Sequence, residues 1–324
     1  MGRRPAGVGH LALTFTVAAL VAAGCGPAAK QQGRSLRIGM TCMDLTNPFF
    51  KLICDVMREE AGRHGYELVC LDANNDPARQ NTQLSDFVAQ DVGAIFLNPA
   101  DSRAAGEGVR RAHGAGIPVF TFDVQLTDEQ ARELVVAHIG SDNFQGGQLA
   151  AASMMEVTGD RGRIAIISYP EINSARLRVE GFREHLAKSG SQLEIVTELS
   201  GRGNRNDGYA TATDILQAHP GIVGIFAIND PSALGARAAV VKAGRNRDIT
   251  VIGFDASPAG KQAVFERALY DSPQQFPREM AKGTVDLLVK YMRGEEIPRG
   301  TLIPCAHYRH AQSVEDESRI KEQW

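Results

Sequence analysis

The sequence lacks the common signatures of catalytic and metal-binding sites. It contains no GxSxG nucleophile elbow, no HExxH zinc motif, no GxxxxGKS or GxxxxGKT phosphate loop and no GxGxxG after an apolar run. No two cysteines have the CxxC spacing, and the eight histidines are scattered along the chain. We therefore expect no catalysis, no metal site and no cofactor, which favours a binding protein over an enzyme.

An excess of charge of one sign is also missing. The chain has 35 basic and 38 acidic residues, which are interspersed and give a net charge of -3. A nucleic-acid-binding protein needs a basic patch or stripe, so no nucleic acid partner is predicted. This composition favours a small or neutral partner.

The apolar run near the start is too short to span a bilayer. It covers 13 mostly apolar residues, Leu11 to Ala23, and follows Arg3 and Arg4, whereas a spanning helix needs about 20. This arrangement is typical of a secretory signal. Residues 22–25 (AAGC) resemble a bacterial lipoprotein cleavage box. We therefore predict a signal peptide over residues 1–25, lipidation of Cys25 and a tether over residues 26–35; the alternative is an ordinary signal cleaved nearby.

Cysteine is scarce, and four residues remain after Cys25: Cys42, Cys54, Cys70 and Cys305. An even number in an oxidising compartment allows one or two disulfides. Cys42 and Cys70 lie in apolar strand-like runs and Cys54 on the apolar face of a helical pattern. Such positions are typical of small buried hydrophobes, so we expect mostly free, buried thiols.

Short apolar runs alternate with amphipathic stretches from Leu36 onward, which is typical of strand and helix units around parallel sheets. The predicted strands are residues 36–42, 67–71, 94–97, 119–122, 135–139, 163–168, 193–199, 223–227 and 250–254. No long Gly, Pro or Ser-rich linker separates them, so two domains would share several chain crossings, at residues 139–143 and 275–277. The predicted class is α/β, with doubly wound parallel sheets.

Polar residues follow several of these predicted strands. Asn98, Asp123, Asn229 and Asp255 each stand at or just beyond a strand end. Ligands of parallel sheets bind beyond the carboxyl ends of the strands, so these side chains are candidates to converge on one cleft. The alternative is that each one caps the helix that follows or shapes a turn.

Asn47-Pro48-Phe49-Phe50 lies between the first apolar run and a helical pattern. Pro48 suits the first helical turn. The turn offers one amide and two aromatic rings, which together fit the polar edge and the apolar face of a sugar.

Six segments resemble the ribose-binding-protein family, the periplasmic sugar receptors of ATP-driven importers. They are residues 47–50 (NPFF), 98–102 (NPADS), 138–143 (HIGSDN), 226–230 (FAIND), 233–236 (ALGA) and 253–255 (GFD). The resemblance extends from about Leu36 to about Pro304. It implies a type I periplasmic binding protein fold, in which two doubly wound parallel-sheet domains are joined by three hinge crossings. The N-terminal lobe would be residues 36–141 and 277–304, the C-terminal lobe residues 142–276 and 305–312, and residues 313–324 a charged tail.

Carried over residue by residue, the resemblance implies a sugar site between the lobes. Its residues would be Asn47, Phe49, Phe50, Asn98 and Asp123, completed by Arg178, Asn229, Asp255 and Gln275. Carboxylates and amides suit hydroxyl pairs, the guanidinium presents a fork of donors, and the rings offer apolar faces. The alternative for Phe50 is core packing, and Arg176 lies two positions from Arg178, so that only one of the two would face the cleft.

Three positions depart from the family pattern and bear on specificity. Val124 stands where ribose receptors usually have an arginine, Met43 where the residue is often small or polar, and Gly203 where it is often aromatic. Losing one charged hydrogen bond costs about 1.5–3 kcal/mol, so the resemblance implies a ligand other than simple ribose, such as a hexose, a deoxysugar or a cyclic polyol. Asp44, Arg202 and Asn204 are candidates for compensating contacts, or solvated turn residues.

The resemblance implies a receptor that delivers a sugar or polyol to an inner-membrane ABC permease, on the periplasmic or cell-surface side and anchored by lipid alone. The alternative is a sensory receptor for a membrane signalling protein. A repressor on the same core would need a helix-turn-helix before it. A glycosidase acting between Asp123 and Asp255 is the remaining alternative.

Overall fold

The computed structural model describes residues 1–2 and 35–316 and shows ten strands and eleven helices there. The strands are β1 (Arg37–Cys42), β2 (Glu67–Asp72), β3 (Ala94–Leu97), β4 (Val119–Phe122), β5 (Ala137–Ser141), β6 (Arg161–Ser168), β7 (Gln192–Ser200), β8 (Ile222–Ala227), β9 (Thr250–Ile252) and β10 (Gly300–Ile303). The helices are α1 (Pro48–Arg63), α2 (Pro77–Ala89), α3 (Gly106–Gly114), α4 (Glu129–Leu134), α5 (Asn143–Thr158), α6 (Asn173–Lys188), α7 (Arg205–Ala218), α8 (Asp230–Lys242), α9 (Pro258–Phe265), α10 (Pro277–Met292) and α11 (His310–Glu315). The predicted lipidation site Cys25, nearly all of the predicted leader and tether, and residues 317–324 of the tail lie outside the described residues.

The strands form two sheets, and both are parallel throughout. The first has six strands in the order β10-β5-β4-β3-β1-β2, and the second has four in the order β7-β6-β8-β9. Parallel neighbours need a crossover connection, and helices between the strands supply it here. The predicted α/β class with two parallel-sheet domains is confirmed.

Helices cover both faces of each sheet. On the first sheet, α1 and α10 pack together on one face, and α2, α3 and α4 pack on the other. On the second sheet, α5 and α6 cover one face and α7 and α8 the other. One apolar core cluster contains residues of both lobes, such as Met57 of α1 and the stacked pair Phe182 and Phe226, whose ring centroids are 4.7 Å apart.

The chain passes between the sheets three times. It leaves the first sheet after β5, returns to it through α10, and leaves again after β10. Beside β9, the last passage forms backbone bridges between Gln274 and Ala306 and between Asp271 and Arg309. These crossings bring the carboxyl ends of both sets of strands to one cleft.

Seven of the nine predicted strands differ from the structure by one or two residues at an end, and one strand was missed. β5 begins at Ala137 because Leu134 and Val135 complete the end of α4. β9 ends at Ile252. The edge strand β10 is half-exposed and carries no continuous apolar run, so its sequence gave no strand signal.

The expectation of mostly free thiols is wrong for Cys54 and Cys70, which form a disulfide. β2 lies beside β1 with Cys70 opposite Met40, and α1 packs on β2. The buried face of α1 therefore brings Cys54 over Cys70. Their Cα atoms are 6.6 Å apart, which is within the usual span of a disulfide. Cys42 and Cys305 are free and buried, as expected.

Within the described part of the chain, no helix is both long enough and apolar enough to cross a membrane. Nor do three or more His, Cys, Asp or Glu side chains gather there in a way that would hold a metal ion.

Candidate functional site

A cavity of about 90 Å³ lies between the two lobes at the carboxyl ends of their strands. Except for Asn98, every predicted site residue lines it, as do Met43, Val124, Gly203, Asp44, Arg202 and Asn204. The lining residues that the sequence did not indicate are Asn75, Tyr169, Ile172, Ser174, Ala175 and Ile228. We call Asn47, Phe49, Phe50, Asp123 and Val124 the N-terminal wall, and Tyr169, Arg178, Asn229, Asp255 and Gln275 the C-terminal wall.

The start of α1 presents the aromatic part of the N-terminal wall. Asn47 caps the helix, accepting a hydrogen bond from the Phe49 amide at 3.0 Å. Phe49 and Phe50 pack edge to face, with centroids 5.2 Å apart. Phe50 belongs to the core cluster and also lines the cavity, so the two interpretations of this residue are compatible.

Asn98 lies behind the cavity and holds two of its parts together. The side chain is fully buried, and its Oδ1 accepts from the Met43 amide at 3.2 Å. Its Nδ2 donates to Asp123 Oδ2 at 3.3 Å. Asn98 does not cap α3, which begins eight residues later at Gly106, so its role is to position Met43 and Asp123.

Asp123 carries the carboxylate of the N-terminal wall. Its backbone has φ of 59°, a left-handed conformation that Asp tolerates better than most residues. One oxygen accepts from Asn98, while Oδ1 is buried and has no hydrogen-bond partner among the described residues. Burial raises the pKa of Asp123 to about 6, although the Arg178 charge lowers it.

Arg178, on α6, is the centre of the C-terminal wall. Its Nε donates to Asn143 Oδ1 at 2.8 Å, and Nη1 donates to the Ile228 carbonyl at 2.6 Å and to Asp255 Oδ1 at 3.2 Å. The guanidinium also stacks on the Phe254 ring at 3.9 Å. These contacts fix the guanidinium in place without any ligand. Arg176, in contrast, is exposed.

Asp255 is the second carboxylate of the cleft, and the C-terminal wall supplies its partners. Gln275 Nε2 donates to Asp255 Oδ1 at 2.7 Å, whereas Gln275 Oε1 is buried without a partner in the described structure. Burial raises the pKa of Asp255 to about 6, against the lowering effect of Arg178. Behind it, burial and then the Asp255 charge raise the pKa of Asp230 to about 7.

Asn229 combines the two roles that its position suggested. Its Oδ1 accepts from the Ser232 amide at 3.0 Å and so caps α8. Its Nδ2 donates to the Gly203 carbonyl at 2.8 Å, and the side chain lines the cavity. The capping interpretation does not hold for Asp123 or Asp255, because Asp128 caps α4 and Ser257 caps α9.

Tyr169 supplies an aromatic ring beside Gly203. A Cβ atom on Gly203, whose φ is 66°, would lie 3.2 Å from the Tyr169 ring, so a larger residue at 203 would crowd the tyrosine. Tyr169 directly follows β6. The strand-end rule that indicated Asp123 and Asp255 would have indicated Tyr169 too, had it been applied to aromatic residues.

A hydrogen bond joins the lobes at the rim of the cleft. Ser102 follows β3 in the first lobe, and its Oγ accepts from the Asn173 amide at the start of α6 at 2.9 Å. α6 has no side-chain cap at its own N-cap position, Ile172. The lobes are therefore close enough to bond directly.

The cavity combines apolar ring faces with acceptors and donors of fixed orientation. Two of its buried acceptors, Asp123 Oδ1 and Gln275 Oε1, have no partner in the described part of the chain. Buried acceptors of this kind are costly unless a donor reaches them. The arrangement fits a small ligand that has several donors and at least one apolar face.

A family model described as "Periplasmic binding protein domain" matches residues 38–296. The ribose import binding protein of Escherichia coli K12 is 33% identical over 261 residues, covering 80% of this chain and 86% of that protein. The D-apiose import binding protein of Paraburkholderia graminis is 30% identical over 263 residues, covering 80% and 83%.

Solved structures show the same architecture. An ABC transporter solute-binding protein from Actinobacillus succinogenes with bound D-allose has a TM-score of 0.79 and 28% identity, and the match covers 86% of this chain and 99% of that one. The Caulobacter myo-inositol binding protein has a TM-score of 0.82 and 25% identity, with coverage of 90% and 99%.

Proposed function

Because the chain belongs to the periplasmic binding protein family, as a ribose-binding-like member with the type I fold, we propose that it is an extracytoplasmic receptor for a sugar or cyclic polyol. It would deliver this ligand to the permease of an ATP-driven importer. The similar proteins named above are import receptors and solute-binding proteins rather than enzymes. No reaction is therefore proposed.

One observation carries the proposal at the level of the site. Asp123 Oδ1 and Gln275 Oε1, from opposite walls, are buried acceptors that lack partners among residues 35–316. Ligand hydroxyls would supply the missing donors. Phe49 and Phe50 would cover an apolar ring face, and Asn47, Asn229, Arg178 and Asp255 would orient the remaining hydroxyls.

Binding would act by shifting the population of open and closed lobes. Groups of both walls contact one ligand only when the lobes are together, so the ligand has a higher affinity for the closed form. A permease that recognises the closed form then responds to the loaded receptor.

We propose a ligand other than simple ribose, with Met43, Val124 and Gly203 tuning the choice. Val124 is fully buried beside Asp123 and gives an apolar surface where a charged donor would otherwise stand. We also propose that Cys25 is lipidated and anchors the receptor at the outer side of a bacterial membrane.

A thermal-shift screen tests the function. The chain starting after Cys25 is melted with a panel of pentoses, hexoses, deoxysugars and polyols. A ligand at 100 times its dissociation constant should add about 2.7 kcal/mol, a rise of a few degrees for a chain of this size. Gln275→Leu should abolish the rise, and the exposed Gln192→Leu serves as the matched control. If no sugar or polyol raises the melting temperature, the receptor function is wrong.

A further inference from the structure

The buried charges of the cleft do not balance. Asp123, Asp255 and Arg178 are the charged lining residues that are buried, with 5%, 6% and 5% of their surface exposed. Two carboxylates thus face one guanidinium. At the rim, the half-buried Asp44 and the exposed Arg202 have opposite charges. Together they add no net charge, so the cavity lining keeps an excess of one negative charge.

The Arg178 guanidinium pairs with Asp255 and not with Asp123. It forms an ion pair with Asp255 at 3.2 Å, and its other described hydrogen bonds go to Asn143 and to the Ile228 carbonyl. All of these groups lie in the second lobe or its border. Moving the guanidinium toward Asp123 would leave Asp255 and a buried carbonyl unpaired, which is costly.

Asp123 therefore has no cation in direct contact among the described residues, although the Arg178 charge acts on it from farther away. Its carboxylate makes no ion pair within the described chain; Oδ2 accepts from the neutral Asn98 amide, and Oδ1 is unpartnered. Three apolar residues that line the same cavity are buried too: Met43, Phe50 and Val124 have 7%, 7% and 0% exposed surface. A carboxylate in such surroundings costs stability unless hydrogen-bond donors or a positive charge compensate it. A hydroxyl would donate one hydrogen bond to Oδ1, whereas a cation would also neutralise the carboxylate charge.

We propose that the ligand is a polyhydroxylated ring carrying one ammonium group, an amino sugar or amino cyclitol, and that this group binds Asp123 Oδ1. The inference rests on the proposed sugar-receptor function and narrows its ligand class. An ammonium offers three donors and a full positive charge, whereas a hydroxyl offers one donor and no charge. The ring hydroxyls would bind Asp255, Gln275 and Asn229 on the opposite wall.

Matched ligand series test the inference by calorimetry at pH 7. Each series contains a neutral hexose or cyclitol, the same ring with an amino group at one carbon, and the N-acetylated amine, which keeps the nitrogen but loses the charge. In at least one series the amine should bind tenfold or more tightly than both neutral forms. If neutral rings bind and no amine exceeds its parent, the ammonium inference is overturned while the receptor function stands. If no ring binds at all, the receptor function itself fails.

A variant tests whether the preference for the charged amine depends on the Asp123 carboxylate. Asp123→Asn keeps the shape and removes the charge, so it should weaken binding of the amine at least tenfold more than binding of the neutral parent. Asp214→Asn, on the exposed surface of α7, should change neither. Equal losses for amine and parent would show that Asp123 only accepts from a hydroxyl and would overturn the inference. The wild-type ligand series decides the question even if Asp123→Asn does not fold.

Discussion

The C-terminal wall satisfies most of its own polar groups, whereas the N-terminal wall leaves its carboxylate dependent on the ligand. Arg178, Asp255 and Gln275 bond to one another across α6 and the crossing near Gln275. Among the described residues, only Asn98 donates to the Asp123 carboxylate, and Oδ1 has no partner there. The difference indicates that one wall is a prearranged surface and that the ligand completes the other.

Packing explains the rigidity of the C-terminal wall. α5 and α6 cross closely through two glycines: a Cβ on Gly147 would collide with the Arg178 carbonyl, and one on Gly181 with the Phe144 carbonyl. This close approach brings Asn143 at the start of α5 to the Arg178 side chain. In the N-terminal wall, the disulfide ties α1 to β2, but Asp123 lies on a separate loop.

Breaking the prearranged wall should have the largest effect. Arg178→Met leaves Asp255 buried and unpaired, and losing one partner of a buried ion pair costs about 3–5 kcal/mol. Urea unfolding should show this loss, and ligand binding should disappear. Arg176→Met is the control, since Arg176 is exposed and a surface change of this kind costs within about 0.5 kcal/mol. Equal stability of the two variants would contradict the role given to the Arg178 network.

Removing the disulfide should loosen the N-terminal lobe alone. The bridge closes a loop with a sequence separation of 16, and a loop of about that length contributes about 3 kcal/mol. Cys54→Ser with Cys70→Ser should lose this amount in unfolding experiments. A reductant should destabilise the wild type similarly and leave the double variant unchanged. An effect of reductant on the double variant would point to another disulfide.

Neutralising Asp123 should raise the stability of the ligand-free protein, whereas the two preceding changes lower it. A pKa raised from 3.8 to about 6 means that the folded state favours the protonated acid, so the ionised form costs stability above pH 6. Asp123→Asn should therefore stabilise the ligand-free protein at pH 7.5 by up to about 3 kcal/mol. The gain should shrink between pH 6 and 3.8 and vanish below. A gain that stays constant across this range in melts would exclude the charge as its cause.

Of the changes considered, Tyr169→Phe should have the smallest effect, and on ligand affinity alone. The Tyr169 hydroxyl makes no hydrogen bond within residues 35–316, and burial raises its pKa. If the hydroxyl contacts the ligand, Tyr169→Phe should lower affinity by about 0.5–1.5 kcal/mol, about two- to thirteenfold. The ligand-free melt should not change. Unaltered affinity would show that the ring, and not the hydroxyl, serves the C-terminal wall.

The sequence predicted the parallel α/β fold because buried parallel strands are continuous apolar runs, as in β3 and β8. It missed β10, since an edge strand exposed on one side lacks such a run. Strand-end polarity indicated Asp123 and Asp255, which the structure brings into one cavity. It could not show that Asn98 lies behind that cavity, because the direction of a side chain depends on the packing around it.

The disulfide was missed for a different reason. Cys54 and Cys70 each sit where an apolar residue belongs, so each alone looks like a small buried hydrophobe. Only the pairing of β2 with β1 beneath α1 shows that the two thiols meet. Local pattern determines burial, whereas the tertiary arrangement determines which buried groups are neighbours.

The bond from the Asn173 amide to Ser102 Oγ affects how long the lobes stay closed around a bound ligand. α6 lacks a side-chain cap of its own, so the opposite lobe provides one, and only while the lobes are together. A helix cap is worth about 1 kcal/mol, which corresponds to about a fivefold longer dwell before opening. Because this contribution is the same for every ligand, it would slow release without altering which ligand is chosen, and the importer would have correspondingly longer to meet a loaded receptor.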